Sequence, residues 1–178
     1  MNAVLEKSEE KMTAGCDSKD PLKVCFVCTG NTCRSPMAQA MLNDMGRVPE
    51  FCSVCPPELL RKRRIIASSA GISAIDGMPI SANAAMALQD AGIRALTDND
   101  YINHRAKMLD ISDLALNDLV VGITSRHAMA LIANYPQFAS KIISMDEDIP
   151  DPFGGDIDDY KACLEKIRKS IEKMFFDK

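Results

Sequence analysis

The sequence predicts an α/β fold in which a doubly wound sheet of four parallel strands is flanked by helices. Four short apolar runs have the composition of buried strands, and helical patterns stand between them and after the last one. This alternation is typical of parallel sheets, because two parallel strands need a long crossover connection. The length of 178 residues suits one domain whose core needs no disulfide or metal to stabilise it.

The first strand, loop and helix are the clearest elements in the sequence. Residues 22–27 form an apolar run that stops at Gly30 and Asn31, and residues 37–42 then have a helical composition. Ser35 is the expected N-cap and Pro36 the expected first helical residue, which together are a common start signal. A second strand is predicted at residues 64–69.

The rest of the chain repeats this alternation. Ser81 is the expected cap of an Ala-rich helix that stops at Gly92. Strands are predicted at residues 118–123 and 141–145, with a helix at 126–134 between them. In the last helix, mainly apolar residues share one face at three- and four-residue spacing, which indicates packing against a core. These residues are Tyr160, Cys163, Leu164, Ile167, Ile171 and Met174.

Composition excludes several classes of protein. The formal net charge of -4 argues against a nucleic-acid or anionic-membrane binder, because those contacts need a concentrated basic face. Seven unevenly spaced cysteines fit a reduced intracellular protein, and no apolar run reaches the ~20 residues of a membrane span. We expect a cytoplasmic protein that binds neither nucleic acid nor membranes, and we expect it to be a monomer. Residues 1–20 are predicted to be a disordered tail, and residues 21–178 a single domain.

The segment VCTGNTCRSP, residues 27–36, places Cys28 and Cys33 five positions apart, with Arg34 directly after the second cysteine. It could be a redox pair, half of a metal site, or a nucleophile in a phosphate cradle. The segment follows the first strand, and parallel sheets bind ligands beyond the carboxyl ends of their strands. A loop bent around Gly30 and Asn31 can direct backbone N–H groups at one dianion in front of a helix N-terminus.

The chemistry of these residues favours the third interpretation. The N–H groups and the Arg34 guanidinium favour Cys28 as a thiolate, which is the nucleophilic form of cysteine. Arg34 also matches two equatorial oxygens of a phosphoryl group, whose charge spreads over them in the transition state. We therefore predict a phosphate cradle that contains its own nucleophile and needs no metal or cofactor. The Gly-Lys-Ser/Thr ending of a nucleotide-binding loop is absent.

Residues 22 to about 176 resemble the low-molecular-weight protein-tyrosine-phosphatase family. Besides the cradle, the resemblance rests on Asp151-Pro152-Phe153, on Ser-Ala-Gly at residues 69–71, and on the segment around His104. It implies that Cys28 is the nucleophile, Arg34 the oxyanion clamp and Asp151 the general acid and base.

The resemblance also implies binding and supporting roles. The loop asparagine of the family is held by hydrogen bonds, which implies support of Asn31 by Ser35, Ser69 and His104. Cys33 is either a packing residue or the partner of Cys28 in a reversible protective disulfide. The residues expected to bind phosphate or substrate are Thr29, Gly30, Asn31, Thr32, Cys33, Ser35 and Phe153.

The chain departs from the family between the first helix and the second strand, where residues 47–63 form an expected insertion. It contains Cys52 and Cys55, and a lone C-x-x-C is a weak signal for zinc or for a redox pair. We expect a surface loop, with a redox pair and an intermolecular metal site as the alternatives.

Two positions bear on the substrate. Tyrosine-specific members of the family carry an aliphatic residue where this chain has Thr32, and a second aromatic where it has Gly154 after Phe153. Both changes remove apolar surface against which the ring of a phosphotyrosine would pack. The combination of Thr32 with Phe153-Gly154 resembles the protein arginine phosphatase branch of the family. The prediction is a phosphatase for phosphoarginine in proteins, with phosphotyrosine as the alternative.

Two other functions fit less well. Related arsenate reductases need two further cysteines near the middle of the chain, and there is no cysteine between Cys55 and Cys163. A phosphoprotein-binding module without catalysis would tolerate the loss of Cys28 or Asp151, and both are present.

Overall fold

The computed structural model describes residues 21–45 and 64–176. Its strands are β1 (Leu22–Cys28), β2 (Ile65–Gly71), β3 (Leu119–Gly122) and β4 (Ile142–Ser144). Its α-helices are α1 (Arg34–Met45), α2 (Ala82–Asp90), α3 (Ile111–Leu116), α4 (Ser125–Asn134) and α5 (Ile157–Phe175), and Pro136–Lys141 forms a 3₁₀ helix. The predicted tail, residues 1–20, and the expected insertion with Cys52 and Cys55 lie outside the described residues.

The described strands form one parallel sheet in the order β2-β1-β3-β4, which confirms the predicted fold class. The register places Cys28 opposite Gly71 and Val27 opposite Gly122, so the carboxyl ends of three strands meet at one edge. The chain continues from β1 to β2 on one side and returns to β3 on the other. The loop after β1 therefore lies where ligands bind in such sheets.

Alternate residues of β1 pack on opposite faces of the sheet. Val24 and Phe26 belong to a core that includes buried residues of α1, α2 and α5. Cys25 and Val27 belong to a smaller core with residues of α3 and α4. Because the central strand is buried on both faces, it is apolar from Val24 to Cys28 rather than alternating.

The last helix carries the predicted packing face. All six residues of that face are buried, and Asp156 caps the helix through a capping box with Asp159. Burial raises the pKa of both core thiols, Cys25 and Cys163, to about 12, so they stay protonated. Of the described helices, none is both long enough and apolar enough to cross a membrane.

Two details differ from the sequence predictions. Helix α1 begins at Arg34, so the prediction of Ser35 as its N-cap and of Pro36 as its first residue was wrong. The Ser35 hydroxyl bonds instead with the loop, where it accepts a hydrogen bond from Asn31. Helix α3 was not predicted, because six residues show too little periodicity; the capping box of Asp110 and Asp113 stabilises it.

Candidate active site

The loop between β1 and α1 surrounds a cavity of about 230 Å³ at the carboxyl edge of the sheet. Asp151 and Phe153 reach the same cavity from the segment that precedes α5. The lining residues are Cys28, Thr29, Gly30, Asn31, Thr32, Cys33, Arg34, Asp151 and Phe153. The fold thus brings the predicted nucleophile, clamp and acid together, although Asp151 is distant from the others in sequence.

The bend of the loop depends on Asn31, whose φ of 55° is the one positive value among the described non-glycine residues. Asparagine tolerates this left-handed conformation better than most residues. Gly30, which was also expected to make the bend, is not among the described glycines with positive φ. Asn31 is fully buried, so its side chain must find partners inside the protein.

Asn31 is held by the three residues predicted to support it and by one further backbone group. Its amide Nδ2 donates to the hydroxyls of Ser35 and Ser69, each at 2.9 Å. Its Oδ1 accepts a hydrogen bond from the Lys107 backbone N–H at 2.9 Å. Its carbonyl oxygen lies 2.9 Å from Nε2 of His104. Together these contacts stabilise the left-handed backbone conformation of Asn31, which costs free energy in any residue other than glycine.

His104 binds the cradle in its neutral form. Burial lowers the pKa of His104, since it penalises the charged imidazolium, and the nearby Arg105 lowers it further, whereas the hydrogen bond to Asn31 acts in the opposite direction. A neutral imidazole that carries its proton on Nε2 can donate to the Asn31 carbonyl.

Two polar groups contact the Cys28 thiol. The Asn31 backbone N–H donates to Sγ at 3.3 Å, and the Ser35 hydroxyl lies 3.0 Å from Sγ. Both contacts would stabilise a thiolate. Gly71, the strand partner of Cys28, allows the loop backbone to lie close to the end of β2. A Cβ at Gly71 would lie 2.6 Å from the Thr29 carbonyl oxygen and 3.0 Å from the Asn31 nitrogen.

Arg34 lies at the first position of α1 with its side chain 7% exposed. Its Nη2 donates to Oδ2 of Asp151 at 2.5 Å, and the Asp151 side chain is 49% exposed. The Arg34 Nε is buried and has no hydrogen-bond partner among the described residues. Asp151 Oδ1 also accepts a hydrogen bond from the Phe153 backbone N–H at 3.2 Å. The clamp and the acid are therefore in direct contact, with spare donor capacity on the arginine.

Cys33 lies in the loop, but its thiol contacts helices α2 and α5. Its Sγ lies 3.3 Å from the Tyr160 hydroxyl and donates to the Ser81 hydroxyl at 3.5 Å. Burial, together with Cys33, raises the pKa of Tyr160 to about 12, so the phenol is neutral. Cys28 and Cys33 are both free thiols, and their reversible disulfide stays a prediction.

Thr32 and Phe153, two residues on which the predicted substrate depends, both line the cavity. Thr32 is half-buried in the loop, and Phe153 has 78% of its surface exposed. Gly154 has a φ of 84°, a conformation in which an aromatic residue would be strained. A second aromatic wall at residue 154 would therefore require a different turn. The described residues contain no group of side chains that could hold a metal ion.

Sequence reasoning missed His127, which is buried at the start of α4. Its Nε2 lies 3.0 Å from the Thr29 hydroxyl, and its Nδ1 lies 2.8 Å from the Thr124 hydroxyl. A lone histidine is not a motif, so nothing in its residue type pointed to the site. The one weak signal was that His127 follows an apolar strand closely, where residues reach the carboxyl edge of the sheet.

Known proteins resemble this chain along most of its length. The family described as low molecular weight phosphotyrosine protein phosphatase matches residues 23–178. A protein-arginine-phosphatase of Geobacillus stearothermophilus is 31% identical over 161 residues, which cover 86% of this chain and 94% of the relative.

Two solved structures have the same fold. A low molecular weight protein tyrosine phosphatase from T. tengcongensis is 33% identical with a TM-score of 0.70, covering 85% of this chain and 96% of that one. A mutant of the arginine phosphatase YwlE, with serine in place of cysteine and a phosphorylated active-site serine, is 26% identical with a TM-score of 0.69. That match covers 85% of this chain and 92% of the YwlE chain.

Proposed function

The chain belongs to the low molecular weight phosphotyrosine protein phosphatase family, and we propose that this phosphoprotein phosphatase acts on phosphoarginine through a phosphocysteine at Cys28. The reaction needs a nucleophile, a clamp for the phosphoryl oxygens and an acid, and the cavity is lined by Cys28, Arg34 and Asp151. We further propose that the enzyme works as a monomer in the cytoplasm, where its cysteines stay reduced.

In the first step, the Cys28 thiolate attacks phosphorus, so the S–P bond forms as the P–N bond to the guanidino nitrogen breaks. Arg34 and the backbone N–H groups of the loop stabilise the charge on the equatorial oxygens. Asp151 gives its proton to the departing nitrogen, and the arginine side chain leaves without a negative charge.

In the second step, Asp151 is a carboxylate and accepts a proton from water, whose oxygen attacks the phosphocysteine. The S–P bond breaks, and Cys28 returns as a thiolate held by Asn31 N–H and the Ser35 hydroxyl. The phosphorylated serine of the YwlE mutant supports this scheme, because it shows a phosphoryl group on the side chain that replaces the cysteine of that relative.

The observation that carries the choice of phosphoarginine is that a polar residue, Thr32, and a single aromatic residue, Phe153, line the cavity. A tyrosine ring gains about 1.5–3 kcal/mol from full burial between apolar walls. Here Thr32 stands in place of an aliphatic residue, and Gly154 stands in place of a second aromatic residue, so the ring would have less apolar surface to pack against. A phosphoguanidino group is polar, so a threonine hydroxyl and the Asp151 carboxylate suit it better than they suit a ring.

The test is kcat/KM on peptides of one sequence that carry either phosphoarginine or phosphotyrosine. We expect a higher value for phosphoarginine, no inhibition by EDTA, and inhibition by vanadate. Cys28→Ser is the control for contaminating phosphatases. A higher value for phosphotyrosine would contradict the proposed substrate but leave the mechanism in place, whereas inactivity on both peptides would contradict the mechanism as well.

A further inference from the structure

His127 contacts the cradle through the side chain of Thr29, the residue that follows Cys28. His127 is 6% exposed, and its Nε2 lies 3.0 Å from the Thr29 hydroxyl. Thr29 is exposed and lines the cavity. Thr29 thus contacts a buried histidine and also lines the cavity where a phosphoryl group would bind.

The contact at the other ring nitrogen favours one direction for the hydrogen bond with Thr29. Thr124 caps α4: its hydroxyl oxygen accepts the backbone N–H of His127 at 3.3 Å and lies 2.8 Å from Nδ1. A hydroxyl has one proton, and a neutral imidazole has one N–H donor. When Thr124 donates its proton to Nδ1, both groups are satisfied, and the imidazole carries its proton on Nε2.

With this tautomer, Nε2–H donates to the oxygen of Thr29, and the proton of that hydroxyl stays available. We propose that His127 is a positioning residue that holds the Thr29 hydroxyl as a donor to a phosphoryl oxygen of the substrate. This inference rests on the proposed phosphatase function. The hydrogen bond should strengthen in the transition state, because charge then spreads over the phosphoryl oxygens.

The surroundings of His127 agree with a neutral ring. Burial is the main reason that the pKa of His127 is lowered, and the guanidinium groups of Arg34 and Arg126 lower it further. The carboxylates of Asp151 and Asp148 act in the opposite direction. An imidazolium would instead have to donate at both nitrogens, which would remove the acceptor for the Thr124 proton.

A double-mutant cycle in the full-length enzyme tests the proposal. Thr29→Val and His127→Ala should each lower kcat/KM on the phosphorylated peptide by roughly ten- to hundredfold, as expected for a lost hydrogen bond to a charged group. If His127 acts through Thr29, the double variant should be within about threefold of Thr29→Val alone. Losses that multiply in the double variant would overturn the proposal.

Two conservative variants separate positioning from folding. Thr29→Ser retains the hydroxyl, and His127→Gln retains an N–H donor near the position of Nε2, so both should recover most of the lost activity. Equal activity of His127→Gln and His127→Ala, at matched thermal stability, would count against the proposed hydrogen bond. If His127→Ala does not fold, these two variants and Thr29→Val still decide the question.

The tautomer gives a readout that needs no activity. The chain has two histidines, so long-range ¹H–¹⁵N spectra of the imidazoles contain two sets of signals. We expect the His127 proton on Nε2, and a proton on Nδ1 would contradict the inference. A wild-type enzyme that is inactive on every phosphopeptide contradicts the proposed function, whereas an active enzyme with multiplying losses contradicts only the role of His127.

Discussion

The carboxylate of Asp151 lies 2.5 Å from the guanidinium of Arg34, although the two residues are 117 positions apart in the sequence. A substrate phosphoryl group would need the same guanidinium, whose buried Nε has no hydrogen-bond partner among the described residues. The contact holds the proposed acid directly beside the group that is proposed to clamp the phosphoryl oxygens.

Asp151→Ala should lower the rate by about 10²–10⁴ with poor leaving groups, because these need a proton as they depart. The loss should be smaller for p-nitrophenyl phosphate, whose leaving group departs without one. Asp151→Asn is the matched control, since it retains the size of the side chain without its charge or acidity. Comparison of kcat for the two leaving groups checks the prediction, and an equal loss for both would remove Asp151 from the role of acid.

Cys28→Ser should abolish turnover but leave binding of phosphate or vanadate largely intact, because Arg34 and the backbone of the loop remain. Cys163→Ser is a suitable control: the serine can still donate to the Pro150 carbonyl, as the thiol does at 3.7 Å. Activity on p-nitrophenyl phosphate and calorimetric titration with vanadate measure the two effects. Hydrolysis by purified Cys28→Ser would contradict the mechanism.

Asn31→Ala and Asn31→Gly should separate backbone strain from side-chain hydrogen bonds. Both variants lose the contacts with Ser35, Ser69 and Lys107, but only glycine accepts a φ of 55° without cost. We therefore expect Asn31→Gly to be the more stable variant, with a free energy of unfolding about 1–2 kcal/mol above that of Asn31→Ala. Urea denaturation provides the measurement, and equal stabilities would mean that the loop relaxes to another conformation.

The free energy of unfolding should fall as the pH drops below about 6.5. The pKa values of His104 and His127 are both lowered in the folded protein from the ordinary value of 6.5, mainly by burial. The unfolded chain therefore binds more protons in this range, which favours unfolding. His104→Gln retains a donor for Asn31 and should reduce the fall between pH 7 and pH 5. An unchanged slope in that variant would show that His104 titrates normally.

Thr32→Ile should shift the substrate preference toward phosphotyrosine by roughly ten- to fiftyfold. The added apolar surface contributes about 1 kcal/mol of packing to a ring, and the lost hydroxyl removes a polar contact of about 0.5–1.5 kcal/mol from the guanidino group. Because Phe153 and Gly154 are unaltered, the variant should stay a weak tyrosine phosphatase. The measurement is the ratio of kcat/KM on the two peptides, and an unchanged ratio would place specificity elsewhere.

Much of the fold could be predicted because its signals are local. The apolar runs of β1, β3 and β4 and the packing face of α5 are visible in short windows, and burial on one or both faces explains them. The spacing of Cys28 and Arg34 is equally local, since a loop of five residues brings both side chains to one point. Helix α3 lacked such a signal, because it is shorter than two turns.

The sequence by itself thus determined the parallel α/β architecture and the cradle between its first strand and helix. Only the tertiary structure placed Asp151 against Arg34 and His127 against Thr29, and only it showed that Ser35 does not cap α1. The physical reason is the range of the interactions. Periodicity and turn chemistry act between near neighbours in the chain, whereas these contacts form only after the crossovers bring the carboxyl ends of β1 and β3 and the segment before α5 to one edge of the sheet.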